Sequence, residues 1–326
     1  MEIRRVQRTG DGTFLISLPK GWAERNGLDR GALVAVSERF NGHLVIAPKY
    51  GVEQAPRTAV VKPTSLLHRE IIGRYLQGYD IIRVEAKGRI SPEERERIKQ
   101  QASSRLIGLE IIEEDYSKIV MQCLLEPAAF PPERILRREY SIASSMHRDA
   151  VTALTEGDIL LAENVIARDE EVDRLYFLLV RILRTVIQNP NLSDKLGILP
   201  IDCLDHRQAA SLVESIGDQS TQIAENVIKM AGTKITEELS QLLLRLHKIA
   251  YEAHEDAMVG LFSRDISLAE NIREKRETVA KIFHEIENIT RAQPVELAPC
   301  ILTASSIGRI YDYSIDIADL GMPRPL

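Results

Sequence analysis

Cysteine is scarce in this 326-residue chain, and the three residues that occur lie far apart. Cys123, Cys203 and Cys300 form no CxxC pair, so the sequence offers no thiolate metal site of the usual spacing. So few cysteines are typical of a protein that stays in a reducing compartment, not of a small secreted domain held together by disulfides. We therefore expect a cytoplasmic protein.

Long hydrophobic runs are also missing. No segment approaches the roughly 18 uninterrupted apolar residues that a membrane span needs, and the best candidate, 175–180, runs directly into Arg181. At the N-terminus, Arg4, Arg5 and Arg8 interrupt what would be the apolar core of a signal peptide. The sequence thus predicts neither membrane insertion nor export.

Enzyme motifs are absent as well. The sequence contains no Gly-rich phosphate loop, no GxSxG and no His/Cys spacing typical of a metalloenzyme. A metal-dependent hydrolase built on clustered carboxylates is the alternative, but a catalytic metal needs an open coordination position and a nearby base. Neither can be identified in the sequence, so we predict that the chain is not an enzyme.

The charge of the chain is unevenly distributed. Its formal net charge is −6, yet residues 1–50 contain eight Lys/Arg and five Asp/Glu, which leaves −9 on the remainder. This pattern indicates that an anionic partner, if there is one, meets the N-terminal segment only.

Glycine marks a change in organisation, because 11 of the 18 glycines fall within residues 1–130. Residues 1–50 are predicted to form short strands around tight turns, and residues 57–126 a small α/β domain. The elements expected in the second segment are strand 58–62, helix 65–77, strand 80–85, helix 92–104 and strands 109–114 and 118–124. From about 132 onward the sequence is helical.

The helical part contains an internal repeat. Residues 147–164 recur as 254–271, with ten of 18 positions identical at an offset of 107. Such a duplication predicts two similar bundles, at 132–232 and 236–321. The predicted helices are 133–155, 158–188 and 200–231 in the first bundle, and 236–262, 265–291 and 297–320 in the second. The first copy is longer by 13 residues, which we assign to a loop around Asn189-Pro190-Asn191.

The N-terminal segment combines a basic first strand, the turn Gly10-Asp11-Gly12-Thr13, the run Ser17-Leu18-Pro19-Lys20 and a short helix that ends near Gly27. In this order of features it resembles the AbrB/SpoVT swapped-hairpin family. The resemblance implies an interlaced homodimer in which basic side chains contact DNA. The candidate DNA-binding residues are Arg4, Arg5, Arg8, Lys20 and Arg25. The alternative is that the segment only dimerises and that its arginines face solvent.

The helical half carries Asp169-Glu170-Glu171-Val172-Asp173 and Glu214-Ser215-Ile216-Gly217-Asp218. These segments and the duplication resemble the PhoU family of tandem three-helix bundles, whose E(D)xxxD pattern they reproduce. The resemblance implies a regulator of phosphate uptake that contacts a phosphate transporter or a signalling protein. The combination with the middle and N-terminal segments is similar to archaeal regulators. The sequence therefore predicts a DNA-binding transcriptional regulator of phosphate homeostasis or, alternatively, a transport adaptor that does not bind DNA.

The carboxylates of the two segments could bind a metal ion. Asp169 and Asp173 are four residues apart, as are Glu214 and Asp218, so each pair shares one helix face. Four converging carboxylates repel one another unless they are protonated or bridged by cations. Oxygen ligands suit Mg, Mn or Ca, and the resemblance adds iron or zinc.

The alternative for these carboxylates is that they cap helices, pair with Arg168, Arg174 or Arg207, or face water.

The corresponding cluster in the second copy is degraded. Asp169 and Asp173 correspond to Arg276 and Ala280, and Glu214 corresponds to Gly308. Only a weaker ion site could remain there, formed by Glu277, Asp312 and Asp316, so we predict one intact site. His147 and His254 also correspond in the repeat, and we interpret each as a packing or surface residue.

Overall fold

In a computed structural model of the chain, described residues are 2–10, 12–38, 42–48, 55–231, 233, 235–291 and 297–321. Asp11, in the predicted N-terminal turn, lies outside them. The chain divides into two compact units, residues 1–55 and 56–326, and each is described by itself.

The N-terminal unit consists of two short antiparallel β-hairpins and one helical turn. Its elements are β1 (Gln7–Arg8), β2 (Phe14–Leu15), α1 (Lys20–Arg25), β3 (Ala35–Glu38) and β4 (Leu44–Ala47). The apolar, β-branched run 13–18 predicts a strand, but β2 includes only two of its residues. None of the described residues of this unit is buried, so its apolar side chains have not formed a core within the single chain.

The second unit begins with a four-stranded sheet. Its elements are β5 (Thr58–Val61), α2 (Leu67–Leu76), β6 (Ile81–Glu85), α3 (Pro92–Arg105), β7 (Leu109–Glu114) and β8 (Lys118–Cys123). The strand order is β5-β6-β8-β7, with β5 parallel to β6 and the other pairs antiparallel. Ser91 caps α3 by accepting from the amide of Glu94 at 3.1 Å, as expected for Ser ahead of a helix-starting proline.

The remaining residues form the helical body. Its helices are α4 (Pro132–Glu156), α5 (Ile159–Gln188), α6 (Pro190–Leu196), α7 (Asp202–Lys229), α8 (Glu237–Ser263), α9 (Ile266–Glu274), α10 (Arg276–Arg291) and α11 (Ala298–Asp319). Local signals set the starts of α5 and α8, because the Asp158 and Thr236 side chains accept from amides of the first turn. The predicted fold class, mainly α with small β-containing segments before the helical body, is confirmed.

Two details of the predicted helices were wrong. The segment around Asn189 is not a loop, because the Asn189 side chain caps α6 and Pro190 occupies the first helical position. The predicted helix 265–291 is divided at Lys275 into α9 and α10. No glycine or proline accompanies that division, so the sequence contains no signal for it.

One hydrophobic core runs through both bundles. In the first bundle α4, α5 and α7 pack on one another; in the second α8 packs on α9, α10 and α11, and α7 packs on α11 between the two. Buried apolar residues from each of these helices belong to a single cluster. In the described part of the chain, no helix combines the length and apolar character required to cross a bilayer.

Arg181 joins the sheet region to the first bundle. Its side chain on α5 is buried, and its guanidinium donates to the carbonyl oxygens of Tyr75 at 2.7 Å and Tyr79 at 2.9 Å. The same guanidinium lies 3.7 Å from the carboxylate of Asp80. Buried arginine is tolerated where its donors are satisfied in this way, so the sheet region is held firmly against α5.

Candidate functional site: a carboxylate cluster in the first bundle

The four predicted carboxylates lie on adjacent helices of one bundle. Asp169 and Asp173 are on α5, whereas Glu214 and Asp218 are on α7, and the two helices pack on each other. Thr221 donates to Asp169 at 3.3 Å. The arrangement brings both E(D)xxxD segments to the same place.

Burial, with repulsion from nearby carboxylates, raises the pKa of all four side chains. Partial burial, followed by repulsion from Asp218 and the two aspartates of α5, raises the pKa of Glu214 to about 7. The same two causes, burial first and the α5 aspartates second, raise the pKa of Asp218 to about 6. Burial also raises the pKa of both Asp169 and Asp173. These directions are those expected where like charges share a partly desolvated site.

Two of the arginines that might neutralise the cluster make their direct contacts elsewhere. Arg168 donates to Asp149 at 2.6 Å, and the guanidinium of Arg207 lies 4.7 Å from the centre of the Tyr176 ring. Among the described residues, none of the four carboxylates has a lysine or arginine nitrogen within 4.0 Å. The ion-pair alternative is therefore not seen as a direct contact, although the charges of Arg207 and Arg105 oppose the rise in the pKa of Glu214 and Asp173 from a distance.

The side chains as they stand do not enclose an ion. Within the described ranges, no three His, Cys, Asp or Glu side chains are close enough together to hold a metal. The carboxylates share a site and repel one another, but a cation would have to draw them together.

The second bundle has replaced this arrangement with ion pairs. Arg276, which corresponds to Asp169, lies 3.8 Å from the carboxylate of Asp312. Glu277 pairs with Lys281 at 2.8 Å, so two of the three acidic residues that remain there already have a cationic partner. Burial raises the pKa of the third, Asp316.

A fifth carboxylate of the first bundle escaped sequence analysis. Glu139 on α4 is completely buried, and neither of its carboxylate oxygens has a hydrogen-bond partner. Burial, followed by repulsion from Glu214, raises its pKa well above the ordinary value. A signal was available, because Glu139 falls on the apolar stripe of α4 between Leu136 and Ala143.

Three histidines form a hydrogen-bonded chain between the bundles. His147 on α4 contacts His254 on α8 at 3.2 Å through Nδ1 and His247 at 3.1 Å through Nε2. The hydroxyl of Tyr140 lies 2.9 Å from Nδ1 of His254. Both His147 and His254 are buried, so they are packing residues and not surface residues.

Burial is also the main cause of their altered acidity. It lowers the pKa of His254 to about 3 and that of His247 to about 4, and it lowers the pKa of His147 well below its usual value. The three histidine side chains are therefore neutral at physiological pH. Equivalent positions of the repeat meet here, since Ser144 donates to its counterpart Tyr251 at 3.0 Å.

The predicted DNA-binding residues all lie in the N-terminal unit. Arg4 and Arg5 precede β1, Arg8 ends it, and Lys20 and Arg25 begin and end α1. All five are exposed. Arg4 contacts Glu2, and Lys20 pairs loosely with Glu24 at 3.7 Å, so the basic surface is available to solvent.

Comparisons with known proteins concern the helical body. The PhoU domain family matches residues 136–227 and 243–320, which is just over half of the chain. A Rhizobium meliloti protein named phosphate-specific transport system accessory protein PhoU homolog is 29% identical over 187 residues, covering 55% of this chain and 77% of that protein. An Aquifex aeolicus protein of the same name is 27% identical over 140 residues, covering 42% of this chain and 61% of that protein.

The fold agrees with these matches. The crystal structure of PhoU from Pseudomonas aeruginosa superimposes with a TM-score of 0.52 and 18% identity, covering 58% of this chain and 93% of that one. Both copies of the duplicated bundle are included in the family match. The chain belongs to the PhoU family.

Proposed function

We propose that this chain regulates a phosphate transport system as an accessory protein that acts through protein–protein contact. The observation that carries the proposal is the match of both bundles to the PhoU domain family. The names of the two relatives point to the same role. The two bundles share one continuous core, so a partner would meet a single packed body.

Labelled-phosphate uptake by a strain that lacks the chain tests the adaptor function. Complementation with the wild-type protein should restore the regulation of uptake by external phosphate. A variant with Arg4, Arg5 and Arg8 replaced by alanine should restore it equally well, because an adaptor does not need its basic N-terminal surface. If this variant fails although it is folded and abundant, action through DNA is favoured instead.

Homodimerisation through the N-terminal unit is part of the proposal. The unit exposes large apolar side chains, namely Phe14 at 70% and Leu44 at 66% within strands and Leu33 at 76% just before β3. About 50 residues without a core cannot be stable in water unless a partner covers those side chains. A second copy of the unit would do so, as the resemblance to swapped-hairpin proteins implies.

Light scattering after size-exclusion chromatography tests the dimer. The wild-type chain should have twice its sequence mass, and Phe14→Asp combined with Leu44→Asp should reduce this to the monomer mass. Leu160→Asp is the matched control, because Leu160 is an exposed apolar residue of α5, outside the N-terminal unit. A wild-type monomer, or a double variant that stays dimeric, contradicts the proposal.

DNA binding is the second candidate function. It is favoured by the five exposed basic residues of the N-terminal unit and by the acidic remainder of the chain. Fluorescence anisotropy with duplex DNA should show an affinity that falls with salt, by about 0.9 in log K per log salt for each phosphate neutralised.

Replacing Arg4, Arg5 and Arg8 by alanine should abolish this binding. A matched triple variant with the exposed Arg69, Arg245 and Arg309 changed to alanine removes the same charge elsewhere and should bind as wild type. If both variants bind DNA equally well, these three arginines of the N-terminal unit do not form the DNA-binding surface.

A cation bound by Asp169, Asp173, Glu214 and Asp218 completes the proposal. The chemistry of the donor set supports this cation, because the four carboxylates make no ion-pair contact with lysine or arginine in the described part of the chain. The side chains would have to move together to hold the ion. Oxygen ligands favour Mg or Mn, and Fe or Zn are the alternatives. When bound, the cation would neutralise the cluster. The four side chains would then hold α5 against α7.

A further inference from the structure

Glu139 occupies a position that is unusual for a carboxylate. It lies on α4, one turn from the fully buried Leu136 and one turn from the fully buried Ala143. Its own side chain is 0% exposed, and both oxygens lack a hydrogen-bond partner. No other carboxylate of the described residues shares both properties. The free energy of burying such a group is unfavourable by several kcal/mol unless a partner is supplied.

No described residue of the chain supplies that partner. Arg207 lowers the energy of the Glu139 carboxylate from a distance, but it makes no hydrogen bond to it and instead lies over the ring of Tyr176. Protonation of Glu139 would not solve the problem, because a buried hydroxyl without an acceptor is itself unfavourable.

The surroundings of Glu139 point towards the carboxylate cluster. Its helix, α4, packs on both α5 and α7. The carboxylates whose charge acts on Glu139 are Glu214 on α7 and Asp173 on α5. The Glu139 carboxyl therefore adds a third helix to the cluster, on the side away from solvent.

The second bundle shows what this position contains when there is no cluster. At the repeat offset of 107, Glu139 corresponds to Leu246, which is also completely buried. The neighbours correspond closely, since Leu136 and Ala143 become Leu243 and Ala250. The same environment therefore accepts leucine in the bundle that has lost its acidic cluster, so packing does not explain a glutamate in the first.

We propose that Glu139 is a ligand of a divalent cation that it shares with Asp173 and Glu214, at an inner position reached from three helices. The inference rests on the cation site proposed above and extends it by a residue outside both E(D)xxxD segments. Carboxylates from three helices suit a hard ion such as Mn²⁺ or Mg²⁺. The cation supplies the positive partner that Glu139 lacks.

Calorimetric titration of the metal-free, full-length protein with Mn²⁺ tests this assignment. The wild-type chain is compared with Glu139→Gln, Glu139→Leu and the control Glu163→Gln, which removes an exposed carboxylate of α5. Both Glu139 variants should lose one bound Mn²⁺ per chain or bind it at least tenfold more weakly, whereas the control should match wild type. Without metal, Glu139→Leu should unfold at or above the wild-type temperature, as Leu246 indicates.

The outcomes separate the two proposals. If the wild-type chain binds no Mn²⁺, the cation site itself is wrong. If it binds Mn²⁺ and both Glu139 variants retain the stoichiometry with an affinity within tenfold, only the role of Glu139 is overturned. A lower unfolding temperature of both variants without metal would show that Glu139 has a protein partner, and this result would also overturn the inference.

Discussion

The buried histidines lead to a quantitative prediction of how the free energy of unfolding depends on pH. His254 lies between His147 and Tyr140, and burial lowers its pKa to about 3. In the unfolded chain the pKa of a histidine is about 6.5. Below that pH, His254 therefore binds a proton in the unfolded state and stays neutral in the folded state. The free energy of unfolding contributed by this group is fully present above about pH 7 and is lost as the pH falls from 6.5.

The size of this loss in the free energy of unfolding depends mainly on protonation of the unfolded state. At pH 5, protonation of one histidine with a pKa of 6.5 stabilises the unfolded chain by about 2 kcal/mol. His147 and His247 are subject to the same effect, because their pKa values are also lowered. His254 and His247 together should remove about 4 kcal/mol between pH 8 and pH 5, and His147 adds to this loss. Glu214 and Asp218 act in the opposite direction, since their raised pKa values favour the folded state on acidification.

Urea unfolding of the wild-type protein and of His254→Gln at pH 8 and pH 5 isolates the histidine contribution, because the carboxylates are the same in both. The variant should lose about 2 kcal/mol less than wild type over this interval. His284→Gln, which replaces an exposed histidine of α10, should follow the wild-type protein. Equal losses for wild type and His254→Gln would refute the reasoning, since the folded protein would then accept the proton at His254.

Further predictions concern other sites. Glu214→Gln should raise the free energy of unfolding of the metal-free protein at pH 8 by about 2 kcal/mol, because a partly exposed carboxyl with a pKa of about 7 is charged there at a penalty. Urea unfolding with a chelator should show this gain falling below about 1 kcal/mol at pH 5. Arg181→Ala should cost about 3 kcal/mol, because it removes the buried donor to the carbonyls of Tyr75 and Tyr79. Hydrogen exchange should accelerate first in residues 57–126, and uniform acceleration would contradict this. Gly108→Ala should lower the melting temperature, since φ is +76° and the added methyl would overlap Leu125; an unchanged temperature would show that Leu125 moves aside freely.

Most helices could be predicted because their signals are local. Apolar residues at helical spacing define α4, and the capping residues Asp158 and Thr236 mark the starts of α5 and α8. The same kind of signal was present at Asn189-Pro190 and was misinterpreted as a loop, since Asn and Pro occur in turns as well as at helix starts. The division at Lys275 has no such signal.

The candidate site was only partly predictable. Asp169 and Asp173 were found because a four-residue spacing is visible in sequence. The position of Glu139 on the apolar stripe of α4 indicates burial, but its closeness to the carboxylate cluster depends on which helices lie beside α4, and spacing within one helix does not give that information. His147 and His254 were matched through the repeat, but their contact with each other and with His247 required the packing of α4 on α8. The cation, the dimer and the DNA contacts stay predictions.

Helix α5 connects the carboxylate cluster to the sheet region. It is 30 residues long and carries Asp173 in the carboxylate cluster and, eight residues later, Arg181 in the sheet region. At 1.5 Å per residue these two points are about 12 Å apart along the axis. Because a helix behaves as a nearly rigid element over this distance, we expect a displacement of α5 at Asp173 to move Arg181 and the Tyr75 backbone that it contacts. We therefore expect the carboxylate cluster and the sheet region to be mechanically coupled through α5.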